Sequence, residues 1–87
     1  MCIRDSFNRA YIKAELKDYK GAINDYSKAL ILEPDYLIAF FNRGLAKEDL
    51  EDYQGAISDY SEVIKINNKY EDAYYQRALL KAFQKMS

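Results

Sequence analysis

A segment of ten residues occurs twice in this chain. It reads DYKGAINDYS at residues 18–27 and DYQGAISDYS at residues 52–61, an offset of 34 positions. The same offset pairs FNR at 7–9 with FNR at 41–43, and a partial third copy begins with YQR at 75–77. Periods of roughly 20–50 residues are typical of stacked repeats, in which each unit buries its apolar face against the next. The repetition therefore limits the fold to an array of similar units.

Apolar residues inside the repeat have the periodicity of amphipathic helices. Phe7, Ala10 and Ala14 share one helical stripe, and Pro34 ends the second segment because a continuing helix needs the backbone donor that proline lacks. The second copy replaces Glu33 and Pro34 by Asn67 and Asn68 as the helix terminator, and asparagine tolerates the left-handed conformation of many helix ends. The pattern predicts an all-α solenoid of five antiparallel helices, at residues 5–16, 19–32, 37–50, 53–66 and 71–84.

Short linkers join the predicted helices, so consecutive helices are expected to lie adjacent, with no boundary between separate domains. Residues 1–5 fit the repeat poorly and are either the fraying start of the first helix or an artefact of the sequence end. We assign residues 6–36 to a first repeat and 37–70 to a second. Residues 71–87 are assigned to the first helix of a third repeat or to a terminal capping helix.

Small residues recur where two helices must approach closely, and Tyr26 and Tyr60 are the large residues expected to fill the space beside them. Gly21 and Gly55 also recur, although glycine costs up to about 1 kcal/mol relative to alanine in a helix interior. The sequence offers no reason for these two glycines. The small residues at the close approaches are Ala10, Gly44 and Ala78 on first helices and Ala22 and Ala56 on second helices.

Composition excludes several function classes. The formal net charge of −1 gives no general attraction to nucleic acid or to anionic lipid. No apolar run approaches the roughly 20 residues of a membrane span, and no signal peptide is recognisable. We therefore expect no nucleic-acid partner and no membrane association. Cys2 is the only cysteine, which excludes an internal disulfide and favours a reducing, cytoplasmic location.

Signatures of catalysis are missing from the sequence. The chain has no histidine, the commonest general base, and no glycine-rich phosphate-binding loop or Cys/His metal spacing. The acidic residues Asp49, Glu51 and Asp52 are most simply a solvated helix end. We expect no enzyme activity, no cofactor and no metal ion.

The repeat positions resemble the motif of the tetratricopeptide repeat family. The resemblance covers residues 6–84, as two full repeats and the first helix of a third. It implies a right-handed superhelix that acts as a protein-interaction module and serves as a scaffold for partners. It also implies that the first helix of each pair lines a concave groove. The matching residues are Phe40, Gly44, Ala56, Tyr60 and Val63 in one copy, Ala10, Ala22, Tyr26, Ala29 and Pro34 in another, and Tyr74 and Ala78 in the third.

At two positions of the first helix every copy departs from the family pattern: one position has arginine where the family has leucine, and the other has lysine where the family has tyrosine. The arginines have two interpretations: a track for an anionic ligand, or long stems that pack while the charges pair with nearby carboxylates such as Glu48, Asp25 or Asp59. We favour the second. The departures are Arg9, Arg43 and Arg77 in place of leucine, and Lys13, Lys47 and Lys81 in place of tyrosine.

The concave face implied by the resemblance supplies the candidate partner-binding residues. Aromatic rings would anchor a bound protein or peptide, and side-chain amides can donate to and accept from its backbone. Alternatively, the aromatic rings wedge between neighbouring helices and the amides are merely solvated. The candidates are Phe7, Asn8, Tyr11, Ile38, Phe41, Asn42, Leu45, Tyr75, Gln76 and Leu79.

One branch of the family clamps the C-terminal carboxylate of chaperone tails with lysines, asparagines and an arginine. Of the residues at those places, only Asn42 matches, and Asp72 would repel a carboxylate. We therefore expect no such clamp here. The residues at the clamp positions are Phe7, Tyr11, Asn42, Asp72 and Gln76.

Three functions remain open on the sequence alone. The first is a non-catalytic interaction module that binds a peptide or partner protein in the groove. The second is a structural or self-associating fragment of a longer array, because Leu79, Leu80 and Phe83 leave apolar residues on more than one face of the last helix. Either further repeats cover this helix, or it pairs with another copy of the chain. The third is a regulatory segment of an enzyme whose catalytic domain lies elsewhere. Light scattering over a dilution series tests the second.

Overall fold

The computed structural model describes residues 3–86, so Met1, the lone Cys2 and Ser87 lie outside the described residues. The predicted all-α fold is confirmed, and the observed helix ends depart from the predicted ones by no more than two residues. The helices are α1 (Ile3–Glu15), α2 (Tyr19–Leu32), α3 (Leu37–Asp49), α4 (Tyr53–Ile66) and α5 (Glu71–Met86).

Each helix packs against the next one along the chain, and α1 also meets α3. Because the connections are only three or four residues long, consecutive helices lie antiparallel and adjacent to each other. The result is an α-solenoid of 41 × 27 × 16 Å, in which the helix pairs α1–α2 and α3–α4 are stacked and α5 covers α4. The first helices α1 and α3 therefore lie side by side on one face.

The core is built from tyrosines seated against small residues. Tyr26 packs its ring edge-on against Phe7, with 5.6 Å between ring centroids, and Tyr60 packs against Phe41 at 5.5 Å. A Cβ atom at Gly44 would lie 2.8 Å from Cε1 of Tyr60, so only glycine lets α3 approach this ring. The predicted alternation of large and small residues is observed, except that Ala78 on α5 is exposed because no described helix covers that face.

The spacing of Asp18 and Gly21, which recurs at Asp52 and Gly55, explains the recurring glycines. Asp18 caps α2 by accepting a hydrogen bond from the backbone N–H of Gly21 at 3.2 Å, and Asp52 does the same for Gly55 at 3.1 Å. A Cβ atom on Gly21 would lie 2.9 Å from Cγ of Asp18. The glycine therefore leaves room for the capping carboxylate, and this satisfies one of the free donors at the helix start.

Gly21→Ala is expected to couple strongly to the cap. In the wild-type background the added methyl displaces the Asp18 carboxylate. In an Asp18→Ala background only the flexible Lys13 side chain, whose Cδ would lie 3.0 Å from the new methyl, has to shift, and the higher helix propensity of alanine remains. Urea unfolding should show Gly21→Ala to be about 1 kcal/mol less favourable in the first background than in the second. Lys20→Ala, on the exposed side of the same turn, should have equal effects in both. Additive effects at Asp18 and Gly21 contradict this account.

Left-handed backbone occurs at different residues from those expected. Lys17 and Glu51, which follow α1 and α3, have φ of 66° and 64°, and they are the non-glycine residues with positive φ in the described chain. The expectation of left-handed backbone at Asn67 or Asn68 was wrong. Asn67 instead caps α4 in an extended conformation, with φ −142°, and its Oδ1 accepts a hydrogen bond from the N–H of Lys69 at 3.1 Å. In the second repeat the helix is thus ended by the Asn67 side chain, which accepts a hydrogen bond from the backbone of the turn that follows, and not by a proline.

A ladder of arginine contacts joins successive helix pairs. Arg43 on α3 donates to Oδ1 of Asp59 at 2.7 Å within its own pair, and to Oγ of Ser27 at 3.0 Å in the preceding pair. Lys47 also reaches Asp59, at 3.2 Å. Arg77 continues the ladder by donating to Oγ of Ser61 at 3.4 Å. These contacts favour the interpretation of the arginines as structural, with stems that pack and charges that pair.

The first repeat has the same pairing in a more open setting. Asp25 is buried and lies 3.1 Å from Nε of Arg9 and 3.0 Å from Nζ of Lys13. Burial alone would raise the pKa of Asp25, but the hydrogen bonds and charges of Lys13 and Arg9 outweigh it and hold this pKa below its ordinary value. The carboxylate is therefore charged at neutral pH and fixes α1 against α2. Glu48, the third carboxylate expected to pair with an arginine, instead accepts a hydrogen bond from Tyr60.

Candidate binding groove

A cavity of about 300 Å³ opens on the face where α1 and α3 lie side by side. From α1 it is lined by Tyr11, Ala14 and Glu15, and from the start and middle of α2 by Tyr19 and Tyr26. On these two helices the wall is thus mostly aromatic, with a single charged group.

The opposite wall comes from α3, whose residues Asn42, Leu45, Ala46 and Asp49 face the same space. These four recur with helical spacing, so one stripe of α3 forms the whole wall. Asn42 supplies an amide that can bond a peptide backbone in both directions, and Leu45 supplies apolar area. The cavity is therefore a groove with apolar, amide and acidic parts.

Three of the residues predicted for partner binding come together in this cavity: Tyr11, Asn42 and Leu45. Tyr11 and Leu45 occupy the same position of successive repeats, and they approach the cavity from opposite sides. Tyr11 is exposed and has the larger free surface of the two. Together they offer a bound segment an apolar contact on each flank.

Phe7 and Phe41, two other predicted groove residues, make their ring contacts with core tyrosines. Phe7 contacts Tyr36 with ring centroids 5.3 Å apart, in addition to Tyr26, and Phe41 contacts Tyr70 at 5.4 Å, in addition to Tyr60. Both phenylalanines are half-buried and pack against the core clusters. Their main structural role is to seal each helix pair, and only their outer edges remain for a ligand.

The remaining predicted residues lie outside the α1–α3 cavity. Asn8 is exposed on α1, Ile38 is exposed at the start of α3, and Gln76 is half-buried on α5. Tyr75 and Leu79 form an exposed apolar strip on α5. The sequence therefore grouped residues that the fold distributes over three helices, and only some of them surround one space.

The sequence analysis interpreted Asp49 only as part of a solvated helix end. The other cavity residues that it did not select for binding are Ala14, Glu15, Tyr19, Tyr26 and Ala46. A signal for Ala14 was present in the sequence. Ala14 and Glu48 occupy equivalent positions of the two repeats, at the offset of 34, and differ in size and charge. A position that departs from the repeat is where two otherwise similar surfaces must differ.

The difference between Ala14 and Glu48 gives the buried tyrosines Tyr26 and Tyr60 different surroundings. In the second repeat the hydroxyl of Tyr60 donates a hydrogen bond to Glu48. In the first repeat the equivalent residue is Ala14, which has no group to accept such a bond, and the space beside it is part of the cavity. Burial, together with the nearby Tyr11 and Glu15, raises the pKa of Tyr26 to about 12. Tyr26 therefore presents a neutral hydroxyl at physiological pH.

Neither a metal site nor a membrane span is indicated. Within residues 3–86, no three His, Cys, Asp or Glu side chains are grouped so that they could hold a metal ion. None of the five helices, over the same residues, combines the length and the apolar character that a bilayer crossing needs.

Two family models match the sequence. A model described as "TPR repeat" matches residues 10–50, and one described as "Tetratricopeptide repeat" matches residues 37–70. Together they cover residues 10–70, from the middle of α1 to the end of the linker after α4. No curated protein matches the chain.

Solved structures with the same architecture are similar over nearly the whole chain. MamA is 20% identical with a TM-score of 0.92, over 94% of this chain and 48% of MamA, and it shows the fold alone. The first TPR of Spaghetti (RPAP3), bound to the HSP90 peptide SRMEEVD, is 25% identical with a TM-score of 0.88, over 95% of this chain and 67% of that one.

A tetratricopeptide repeat protein from Parabacteroides merdae is 32% identical with a TM-score of 0.85, over 92% of this chain and 31% of its own. The chain thus spans about half the length of MamA and about a third of the Parabacteroides protein.

Proposed function

Since the chain belongs to the tetratricopeptide repeat family, we propose that it is a non-catalytic module that binds a peptide segment of a partner protein in the groove between α1 and α3. Repeats of this family generally mediate protein–protein interaction. The observation that carries the proposal is the α1–α3 cavity, where Tyr11, Asn42 and Leu45 surround a space of about 300 Å³. Cavities of this size suit one or two side chains of a bound segment.

The chemistry of the groove supports a peptide as the ligand. Tyr11 is an exposed aromatic, the residue type that most often anchors interfaces, because it buries a large area at little cost in side-chain entropy. The Asn42 amide can accept from and donate to the backbone of an extended segment. The similar TPR of Spaghetti is bound to a peptide in its solved structure. That peptide is acidic, however, whereas the charged residues lining the present cavity are Glu15 and Asp49.

Selection from a phage-displayed library of random linear peptides tests the proposal. The double variant Tyr11→Ala, Asn42→Ala should weaken a selected peptide at least about tenfold, or roughly 1.4 kcal/mol, in fluorescence polarisation. The matched control, Asn24→Ala with Ile31→Ala, removes an asparagine and a large apolar residue from exposed positions of α2 outside the cavity, and should leave affinity unchanged.

The peptide SRMEEVD is the negative probe of this experiment. Its carboxylates would face Glu15 and Asp49, and like charges across a binding surface oppose association. We expect its affinity to stay weaker than about 1 mM. Failure to select any peptide, or equal binding by the double variant and its control, would reject the groove as the binding site.

A further inference from the structure

The cavity contains one buried polar group for which the described chain supplies no partner. Tyr26 is only 1% exposed, yet among residues 3–86 no side chain or backbone group forms a hydrogen bond with its hydroxyl. Every fully buried side-chain oxygen or nitrogen in this part of the chain does have a partner. The Tyr26 hydroxyl must therefore be accessible, and since Tyr26 lines the cavity, the cavity is where it is reached. A hydroxyl that opens into this cavity and has no partner within residues 3–86 can donate to, or accept from, a ligand held there.

The second repeat shows what would fill such a space. There a carboxylate, Glu48, reaches the equivalent hydroxyl of Tyr60 and occupies the position beside it. Ala14 lacks the second methylene and the carboxylate that Glu48 has. Within the described residues, the first repeat therefore has empty space beside the Tyr26 hydroxyl and no side-chain acceptor for it. The cavity of the first repeat is therefore a site from which the protein's own polar group is missing.

The charge at this site is negative on both sides. Glu15 on α1 and Asp49 on α3 are exposed and are the charged residues among those that line the cavity. Neither has an ion-pair partner in the described chain, and Lys13 and Lys47 are paired with Asp25 and Asp59. Two carboxylates on facing helices attract a cation and repel an anion.

Aromatic rings complete the site. Tyr11 and Tyr19 contribute to the same wall as Glu15. A guanidinium or ammonium group is stabilised over the face of a tyrosine ring, by about 0.5–1 kcal/mol at exposed sites and more when water is excluded. The combination of tyrosine faces, two carboxylates and one hydroxyl oxygen provides acceptors and π-surface for a cationic group.

We propose that this cavity receives a basic side chain, arginine or lysine, that projects from the partner peptide. The inference rests on the proposed function and gives the partner its chemistry. The cationic head lies between Glu15 and Asp49 and donates to the hydroxyl oxygen of Tyr26, while its aliphatic stem packs against Tyr11 and Leu45. The Asn42 amide remains available to the peptide backbone.

The test uses the same random peptide library, with the folded chain as bait. Peptides selected on the wild-type protein should be enriched in arginine or lysine at one position. Replacing that arginine by citrulline, which keeps the shape and removes the charge, should weaken a synthetic selected peptide at least tenfold, about 1.4 kcal/mol. Enrichment of acidic or purely apolar peptides, or equal affinity of the citrulline peptide, overturns the inference.

Ala14→Glu is the decisive variant. It copies the second repeat, so the new carboxylate should bond the Tyr26 hydroxyl and fill the cavity, and binding of the basic peptide should fall at least tenfold. Its control is Ile12→Glu, which adds the same charge to α1 at an exposed position that does not line the cavity. Ile12→Glu should leave binding within about twofold of wild type. If Ala14→Glu instead strengthens binding, diffuse charge attraction explains the affinity and the cavity does not.

A second variant guards against misfolding. Glu15→Gln with Asp49→Asn removes both carboxylates at nearly constant volume, and should also weaken the basic peptide at least tenfold while circular dichroism stays unchanged. The two proposals fail differently. If selected peptides depend on Tyr11 and Asn42 but show no basic position, the groove binds peptides and this inference is wrong. If no peptide depends on Tyr11 and Asn42, the proposed function fails as well.

Discussion

Tyr60→Ala is expected to lower the free energy of unfolding by about 3–5 kcal/mol, the range for removing a large aromatic side chain from a core. Tyr60 is fully buried, and its ring fills the space between Gly44 on α3 and Phe41. Glycine has no side chain that could move into the gap, so the cavity stays open. A chain of this size has a thin core and a stability near the lower end of the usual range of about 5–15 kcal/mol, so the variant should lose most of its stability and unfold at a much lower urea concentration than wild type.

Urea unfolding followed by circular dichroism at 222 nm measures this loss. Tyr60→Phe is the control that keeps the ring and removes only the hydrogen bond to Glu48, and it should cost about 0.5–1.5 kcal/mol. Tyr75→Ala, on the exposed strip of α5, should change stability by less than about 0.5 kcal/mol. A Tyr60→Ala protein that unfolds at nearly the wild-type urea concentration would show that this ring does not hold the two helices together.

Asp59→Ala is expected to cost about 3–5 kcal/mol, because it removes the carboxylate from a buried charge cluster and leaves the cations without a counter-ion. Arg43 and Lys47 both lie within 3.2 Å of Asp59, and each is only 19% exposed, so water cannot replace the lost partner fully. The expected loss reflects the penalty for leaving Arg43 and Lys47 unpaired more than the net stabilisation that the intact cluster provides. The same change removes the link through which Arg43 fixes α3 against α4.

Asp25→Ala is the matched comparison, since Asp25 occupies the equivalent position of the first repeat. Its cations are better hydrated, Arg9 being 46% and Lys13 34% exposed, so each can recover solvation when the carboxylate is lost. Paired urea titrations should show Asp25→Ala to be about half as costly as Asp59→Ala. Equal losses at the two positions would mean that burial of the cations has no part in the effect.

The helices were predictable because independent local signals coincide. The offset of 34 aligns the capping residues Asp18 and Asp52, and Pro34 marks a helix end in one copy. Capping and helix termination are short-range effects, decided by neighbouring residues, so the sequence alone is enough to predict them. The turn at Asn67 was placed correctly, but its mechanism was not, because a side chain that bonds its own turn competes with left-handed backbone.

The binding site was less predictable because its members act across helices. Phe7 and Phe41 have the same helical periodicity whether they face a ligand or the core, and only the positions of Tyr26 and Tyr60 decide between these. The cavity depends on a missing side chain at Ala14, which matters only once α1, α2 and α3 are assembled. Comparing the two copies position by position would have identified this difference before any coordinates existed.

The contacts of Arg43 with Ser27 and with Asp59 each join residues 16 positions apart, as do those of Arg9 with Asp25 and of Arg77 with Ser61. Such constant separation has a consequence for how a gene of this kind can change length. Duplication or loss of one complete 34-residue unit by unequal crossing-over recreates every pairing at the new junction. Gain or loss of any other number of codons between the paired residues breaks the ladder of arginine contacts. Genes of this kind are therefore expected to lengthen or shorten in whole repeat units.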